Sequence, residues 1–310
     1  MTPRDVMIAA LAVLSVFGAA RADDAPKPQA CAMTPLASLD AVTNPAGMIL
    51  VPATIDGHTG GMLVDTGGLA GVIGWGTASQ LKNAPYIPDF GATLVGGFEI
   101  NAGVTVEHFA LGPLTFDNVG FLVAPDRMMH GDQIGILQPR AITSLNYEID
   151  FVKGKLNLFH QGACPDRDVY WTQGSFAKVP MELDRRGHIH VAAVLDGKPI
   201  SALIDTGAQT TTMSLATAQK IFNIDAKNPA LKSLGGVNVN NLVAASVFRY
   251  PFASLTFAGI AIDRPNVVIM DSGADTNEAE MIVGIGVLRQ FHIFIAYDEK
   301  ALYLTPAEAH

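Results

Sequence analysis

The sequence predicts an all-β protein made of two pseudo-twofold-related β-barrel lobes with a few short helices. The first observation behind this is a duplication. Leu63-Val64-Asp65-Thr66-Gly67-Gly68 is matched by Leu203-Ile204-Asp205-Thr206-Gly207-Ala208, so Asp-Thr-Gly occurs twice. At a usage of roughly 5 to 7 per cent per residue, a given tripeptide is expected about once in a few thousand positions. The match also extends upstream: Asp56-Gly57 and Asp196-Gly197 each precede their Asp-Thr-Gly aspartate by nine residues, an offset of 140 in both cases (205 − 65 and 196 − 56). The second observation is composition, with 30 glycines, 16% charged residues and many short Val/Ile/Leu/Phe/Thr runs, which suits strands joined by turns of positive φ. The third is the lack of a further copy, which excludes a solenoid.

Charge and targeting bound the function. A formal net charge of −9 without a Lys/Arg cluster argues against a nucleic-acid partner. Residues 1–22 read as a signal peptide: Arg4 in a short head, a mainly apolar run from Val6 to Ala20, then Ala20-Arg21-Ala22 as the cleavage site. The expected location is therefore periplasmic or secreted, with the mature chain starting near Asp23. No later apolar run reaches the roughly 20 residues of a membrane span, so no stable membrane insertion is expected once the signal is removed. An uncleaved N-terminal anchor is the alternative, because Asp5 weakens the positive head and Arg21 sits inside the cleavage motif.

Two cysteines, Cys31 and Cys164, are candidates for a disulfide that would tie the N-terminal tail to the segment between the halves. The eight histidines are scattered, and His188-x-His190 reads as a same-face pair on an exposed strand. Neither a metal nor a cofactor is expected.

Residues 23–46, rich in Pro, Ala and polar residues, read as an irregular lead-in. The N-terminal lobe, 47–160, begins with alternation over Ile49 to Ile55, turns at Asp56-Gly57, and resumes from Gly61 to Val64 to deliver Asp65 to a loop. Val72-Ile73 form a short strand, and Thr77 or Ser79 opens a short helix around Gln80 to Lys82. A sheet region from Ala92 to Glu107 contains Gly96-Gly97, which predicts a bend or hairpin tip. Further strands are expected at Phe109 to Leu114, Val119 to Val123, Ile134 to Ile136, Tyr147 to Phe151 and Lys155 to Phe159.

The linker falls at 161–176, and the C-terminal lobe, 177–307, restarts the pattern. His188 to Leu195 and Ile200 to Ile204 flank the Asp196-Gly197 turn and lead to Asp205. A strand over Thr210 to Met213 is followed by a helix through Ala218 to Phe222, capped by Ser214. Gly236 falls 31 residues after Asp205, as Gly97 falls 32 after Asp65. Ile282 to Gly286 parallels Gln133 to Ile136, and Ile295 to Tyr297 with Lys300 to Leu304 parallels the hairpin that closes the first half.

A carboxylate at a strand tip followed by Thr-Gly is held by its own loop, because Gly permits the sharp backbone and its amide donates to the carboxylate. Two such loops about a pseudo-twofold axis bring two carboxylates together. Like charges that close share a proton, so one member can act as base on a water while the other acts as acid on a carbonyl.

The two Asp-Thr-Gly loops, each preceded by an apolar pair and followed by Ile134-Gly135 or Val283-Gly284, resemble the aspartic protease superfamily. The short halves and the Leu-Ile-Asp-Thr-Gly-Ala wording are similar to a retropepsin-like module, here written twice in one chain as in pepsin-like enzymes. The resemblance covers about residues 48 to 305. It implies an acid-protease fold, Asp65 and Asp205 as catalytic residues, and Thr66, Gly67, Thr206 and Gly207 as the groups that brace the loops. It also implies a flap over the substrate, with Gly96, Gly97, Phe98, Gly235 and Gly236 as flap candidates.

Two features depart from that pattern. Gly68 and Ala208 stand where a Ser, Thr or Ala commonly follows Asp-Thr-Gly, and neither carries a hydroxyl. The first half also has no evident Tyr near Gly97. The expected function is an exported aspartic endopeptidase acting on an extended peptide or protein substrate, and both halves in one chain make a monomer sufficient. The alternative is a non-catalytic protein of the same fold that uses the inter-lobe cleft to bind peptides or a partner.

Overall fold

The computed structural model describes residues 33–87, 92–94, 98–138, 144–162, 169–239, 242–257, 260–271 and 279–307. The signal segment 1–22, Cys31, Cys164, Gly96 and Gly97 lie outside these residues.

The first half runs through β1 (Ala37–Asp40), β2 (Val42–Thr43), β3 (Ile49–Ile55), β4 (His58–Val64), β5 (Val72–Gly74), α1 (Trp75–Ala78), β6 (Ala92–Leu94), β7 (Phe98–Ile100), β8 (Gly103–Leu111), β9 (Leu114–Ala124), β10 (Gln133–Leu137), β11 (Leu145–Asp150) and β12 (Lys155–His160). The second half runs through β13 (Ala177–Leu183), β14 (Ile189–Leu195), β15 (Lys198–Ile204), β16 (Thr211–Ser214), α2 (Leu215–Phe222), β17 (Lys232–Val239), β18 (Leu242–Arg249), β19 (Ser254–Phe257), β20 (Ile260–Asp263), β21 (Val267–Asp271), β22 (Met281–Val283), α3 (Ile285–Leu288), β23 (Phe291–Ala296) and β24 (Ala301–Pro306).

Local chemistry explains why the first hairpin of each half is the same. Asp56 (φ 45°) and Gly57 (φ 89°) make the two-residue turn from β3 to β4, and Asp196 (φ 45°) and Gly197 (φ 75°) make the one from β14 to β15. Both central positions need positive φ, which Asp and Gly tolerate best. Each turn aspartate also caps a neighbouring segment: Asp56 accepts from the backbone N–H of His108 at 2.6 Å, and Asp196 from those of Ala253 at 2.7 Å and Ser254 at 2.9 Å.

Beyond these hairpins the two sheets share one plan. In the first half the order is β2-β3-β4-β10-β5-β9-β8, with β10 parallel to β4 and antiparallel to β5. In the second the run is β14-β15-β22-β16-β21-β18-β17, with β22 parallel to β15 and antiparallel to β16. A late strand thus inserts beside the strand that ends on each Asp-Thr-Gly aspartate. The halves meet in a run ordered β1-β12-β11-β23-β24-β13, which reads alike from either end and places the pseudo-twofold axis between β11 and β23.

Alternation sorts the core. In β14, Ile189, Val191, Ala193 and Leu195 are buried, and in β3 Val51, Ala53 and Ile55 are buried. Full burial stabilises by about 1.5–3 kcal/mol for each Val, Leu or Ile. A polar network sits on the joining sheet. Glu148 accepts from Asn157 Nδ2 at 3.0 Å and from the Tyr170 hydroxyl, and lies 2.6 Å from His292 Nε2. Trp171 stacks on His292 with ring centroids 4.1 Å apart. Residues 170 and 171, expected in a linker, are therefore packed against strands of both halves.

Several expectations are corrected. Residues 37–40, expected in an irregular lead-in, form β1 and pair with β12, because the Ala-Ser-Leu-Asp alternation turns Ala37 and Leu39 into the core. The helix expected over Gln80 to Lys82 is α1, and it ends at Ala78; Ser79 closes it, its N–H donating to the Trp75 carbonyl. The strand expected over Phe109 to Leu114 is broken at Gly112 (φ 57°), which with Pro113 turns β8 into β9. His188, expected on an exposed strand, is buried just ahead of β14.

Candidate active site

Backbone bonding first fixes where each loop begins. The N–H of Asp65 donates to the Leu137 carbonyl at 2.9 Å, and that of Asp205 to the Val283 carbonyl at 3.0 Å. Both acceptors end the inserted strands β10 and β22. Insertion requires glycine at the crossing: a Cβ on Gly135 would lie 2.4 Å from the Val72 carbonyl oxygen, and one on Gly284 2.5 Å from that of Thr210. Gly135 and Gly284 are thus part of the site's construction, in the apolar-Gly pairs that the sequence shows.

Each carboxylate is then held by its own loop. Asp65 Oδ1 accepts from the Gly67 N–H at 2.9 Å, and Asp205 Oδ1 from Gly207 at 2.8 Å and Ala208 at 3.1 Å. The threonines cross from loop to loop. Thr66 Oγ1 donates to the Ile204 carbonyl at 2.7 Å and Thr206 Oγ1 to the Val64 carbonyl at 2.8 Å. Each Oγ1 in turn accepts from the other threonine's N–H at 3.1 Å. Both threonines are buried, so three polar groups on each side, an N–H, a hydroxyl and a carbonyl, are satisfied without water.

Close approach of the loops brings the carboxyls together. A Cβ on Gly67 would lie 2.4 Å from Asp205 Cγ, and one on Gly207 2.4 Å from Asp65 Cγ. Each glycine therefore makes room for the opposite aspartate. The Asp65 and Asp205 side chains are hydrogen-bonded to one another and partly exposed to solvent.

Burial pushes the Asp65 carboxyl well above the usual carboxylate range; the Asp205 charge and the hydrogen bond to Asp205 add to this, against the amides of Gly67 and Gly68. Asp205 is also raised by burial, but the hydrogen bond from Asp65, the Gly207 and Ala208 amides and the His188 charge work against that. Both carboxyls are raised and face each other, so the pair titrates as a unit and shares a proton. Gly68 is accounted for as well: Asp65 Oδ2 stands over it, 3.0 Å from where a Cβ would be.

Asp65, Thr66, Gly67, Asp205, Thr206 and Gly207 all come together here. Of the flap candidates, Phe98, Gly235 and Gly236 lie in strands among the described residues. Phe98 begins β7, paired with Leu94 of β6 across residues 95–97. Gly235 (φ 100°) and Gly236 are exposed in β17, at a bulge facing β18, ahead of the closing Val239–Leu242 pair.

A family profile described as "Aspartyl protease" matches residues 51–137 and 191–287, the two halves of the duplication. Among solved structures, the aspartic proteinase from Irpex lacteus is similar with a TM-score of 0.52 and 16% identity, covering 87% of this chain and 97% of that one. Basic 7S globulin from soybean is similar with a TM-score of 0.50 and 12% identity, covering 88% and 95%. No curated protein matches the chain. At these identities the structural likeness speaks for the fold, and the profile, which spans more than half of the sequence in two matched pieces, places the chain: it belongs to the aspartyl protease family.

Proposed function

We propose that the chain is an exported aspartic endopeptidase that hydrolyses peptide bonds in extended peptide or protein substrates, with Asp65 and Asp205 as its catalytic pair. One observation carries the reading: two carboxyls face each other across glycines that leave no room for a Cβ, on loops that hydrogen-bond to each other. In this mechanism Asp205 takes a proton from a water as the water oxygen bonds to the scissile carbonyl carbon. Asp65 gives its proton to the carbonyl oxygen, which yields a tetrahedral diol. Collapse breaks the C–N bond as Asp205 passes its proton to the leaving nitrogen, and Asp65 recovers a proton from the diol. No covalent intermediate is formed. Thr66 and Thr206 fix the separation of the carboxyls, and Gly67 and Gly207 leave them room.

The test is hydrolysis of an unfolded protein by the chain lacking residues 1–22, compared with Asp65→Asn and Asp205→Asn. Loss of at least a hundredfold in each variant is expected from removal of an acid or base. Full activity in either defeats the paired mechanism, and an inactive wild-type chain that still binds peptides would favour the non-catalytic binding protein. Export is tested separately by N-terminal sequencing of the protein from the periplasm or medium, where a start near Asp23 is expected. No helix among the described residues is long and apolar enough to cross a membrane.

A further inference from the structure

We propose that Asp184, His188 and His190 form a binding site for a divalent cation of the zinc class, separate from the carboxyl pair. One ligand atom from each of the three residues lies within 4.8 Å of the others. Asp184 follows β13, His188 precedes β14, and His190 is the second residue of β14, so a tight turn returns the chain to its own carboxylate. The turn is closed by the Gly187 N–H on the Asp184 carbonyl at 3.0 Å and by the Asp184 N–H on the His188 carbonyl at 3.2 Å.

Asp184 is oriented before any cation arrives. Its Oδ1 accepts from the backbone N–H groups of Arg186 at 2.8 Å and His188 at 2.9 Å, which aims Oδ2 at the two imidazoles. Such outer bonds are what hold a metal-binding carboxylate in place. From Oδ2 the distances are 2.9 Å to His188 Nδ1 and 3.6 Å to His190 Nε2. A tetrahedral ion with bonds of about 2.0–2.1 Å needs ligand atoms roughly 3.3 Å apart, which these two separations bracket. His190 Nε2 is buried and makes no hydrogen bond among the described residues, an arrangement rare for a buried imidazole nitrogen and suited to a ligand.

The donor set selects the cation. Two imidazoles and one carboxylate suit zinc and its neighbours better than calcium or magnesium, which prefer oxygen. Three protein ligands leave a fourth position for water. Access is from the Asp184 side, whose side chain is 28% exposed against 5% for His188. In the β14–β15 pairing His190 stands opposite Leu203, two residues before Asp205, so a bound cation would brace the strand beside the second Asp-Thr-Gly loop.

The experiment titrates the chelator-stripped chain with Zn2+ by calorimetry and with Co2+ by visible absorption. One cation per chain, a Co2+ spectrum of low coordination number and a Zn2+-dependent rise in Tm are expected. His190→Ala, which leaves the Asp184–His188 turn intact, and Asp184→Asn should each weaken Zn2+ binding at least tenfold and abolish the Co2+ bands; His190→Gln serves if His190→Ala does not fold. Absence of a stoichiometric site in the wild-type chain, or unchanged affinity in the variants, overturns the proposal. Cation binding is read without any substrate, so its failure is distinguishable from a failure of hydrolysis by Asp65 and Asp205.

Discussion

Thr66 and Thr206 each donate a hydroxyl proton to the strand that carries the other's aspartate, at 2.7 Å to Ile204 and 2.8 Å to Val64. Their hydroxyls also accept the partner threonine's N–H. Replacing either by Val keeps the volume but leaves a buried N–H and a buried carbonyl unpaired. Each orphaned group costs about 1–3 kcal/mol. Thr66→Val and Thr206→Val should therefore lower unfolding free energy in urea by that amount or more, whereas Thr66→Ser and Thr206→Ser should lose far less. Equal losses for Val and Ser would show that the hydroxyls are not what matters.

Gly207 offers a sharper probe of the spacing between the carboxyls. An added Cβ would sit 2.4 Å from Asp65 Cγ, a separation that real atoms do not adopt, so the two loops must part. Gly207→Ala is expected to destabilise by about 1–3 kcal/mol through overpacking and to lower peptide hydrolysis by at least two orders of magnitude. A variant with wild-type kcat/KM would mean the carboxyl separation is not critical.

The raised titration of Asp65 carries a signed consequence for stability. A carboxyl whose folded pKa lies above its unfolded value binds more protons in the folded state between those two values. Stability contributed by the group is thus fully present at low pH and lost as pH rises from the unfolded value, near 3.8, through the raised one. Asp65→Asn removes this loss, so its urea midpoint should gain on the wild type as pH rises from 4 towards neutrality. A difference that stays constant or shrinks with pH would contradict the raised titration of Asp65.

Neither residue after Asp-Thr-Gly supplies a hydroxyl, and the hydrogen bonds given to the pair by its own loops come from backbone amides. The pH–rate profile should accordingly lie towards neutral pH, and a maximum well below pH 4 would refute this. Ala208→Ser already has the Cβ in place and adds one donor beside Asp205. A net gain of about 1 kcal/mol from such a bond corresponds to roughly 0.7 of a pH unit, so the profile should move towards acid by about that much. Gly68→Ser is a poorer probe, because its Cβ would crowd Asp65 Oδ2 at 3.0 Å.

The sequence by itself determined the duplication, the two Asp-Thr-Gly loops and most strands. Those signals are local: Asp56-Gly57 and Asp196-Gly197 accept positive φ, alternation in Ile49 to Ile55 marks a strand with a buried face, and Ser214 caps α2 through the Thr217 N–H. Where a local signal was ambiguous the reading slipped, as at Ser79, which ends α1 rather than opening a helix, and at Gly112, which splits an apolar run into β8 and β9. Only the tertiary structure decided that β10 and β22 insert beside the aspartate strands, that β11 pairs with β23 across the pseudo-twofold axis, and that Asp184 returns to two histidines. The reason is range. The bonds that close the site join residues about 140 positions apart, such as Thr66 with Thr206, and no window of sequence encodes which buried donor will meet which acceptor. The sharing of a proton is further removed still, since Asp65 and Asp205 sit in near-identical Asp-Thr-Gly loops and only folding brings each the burial and the facing carboxyl that raise it.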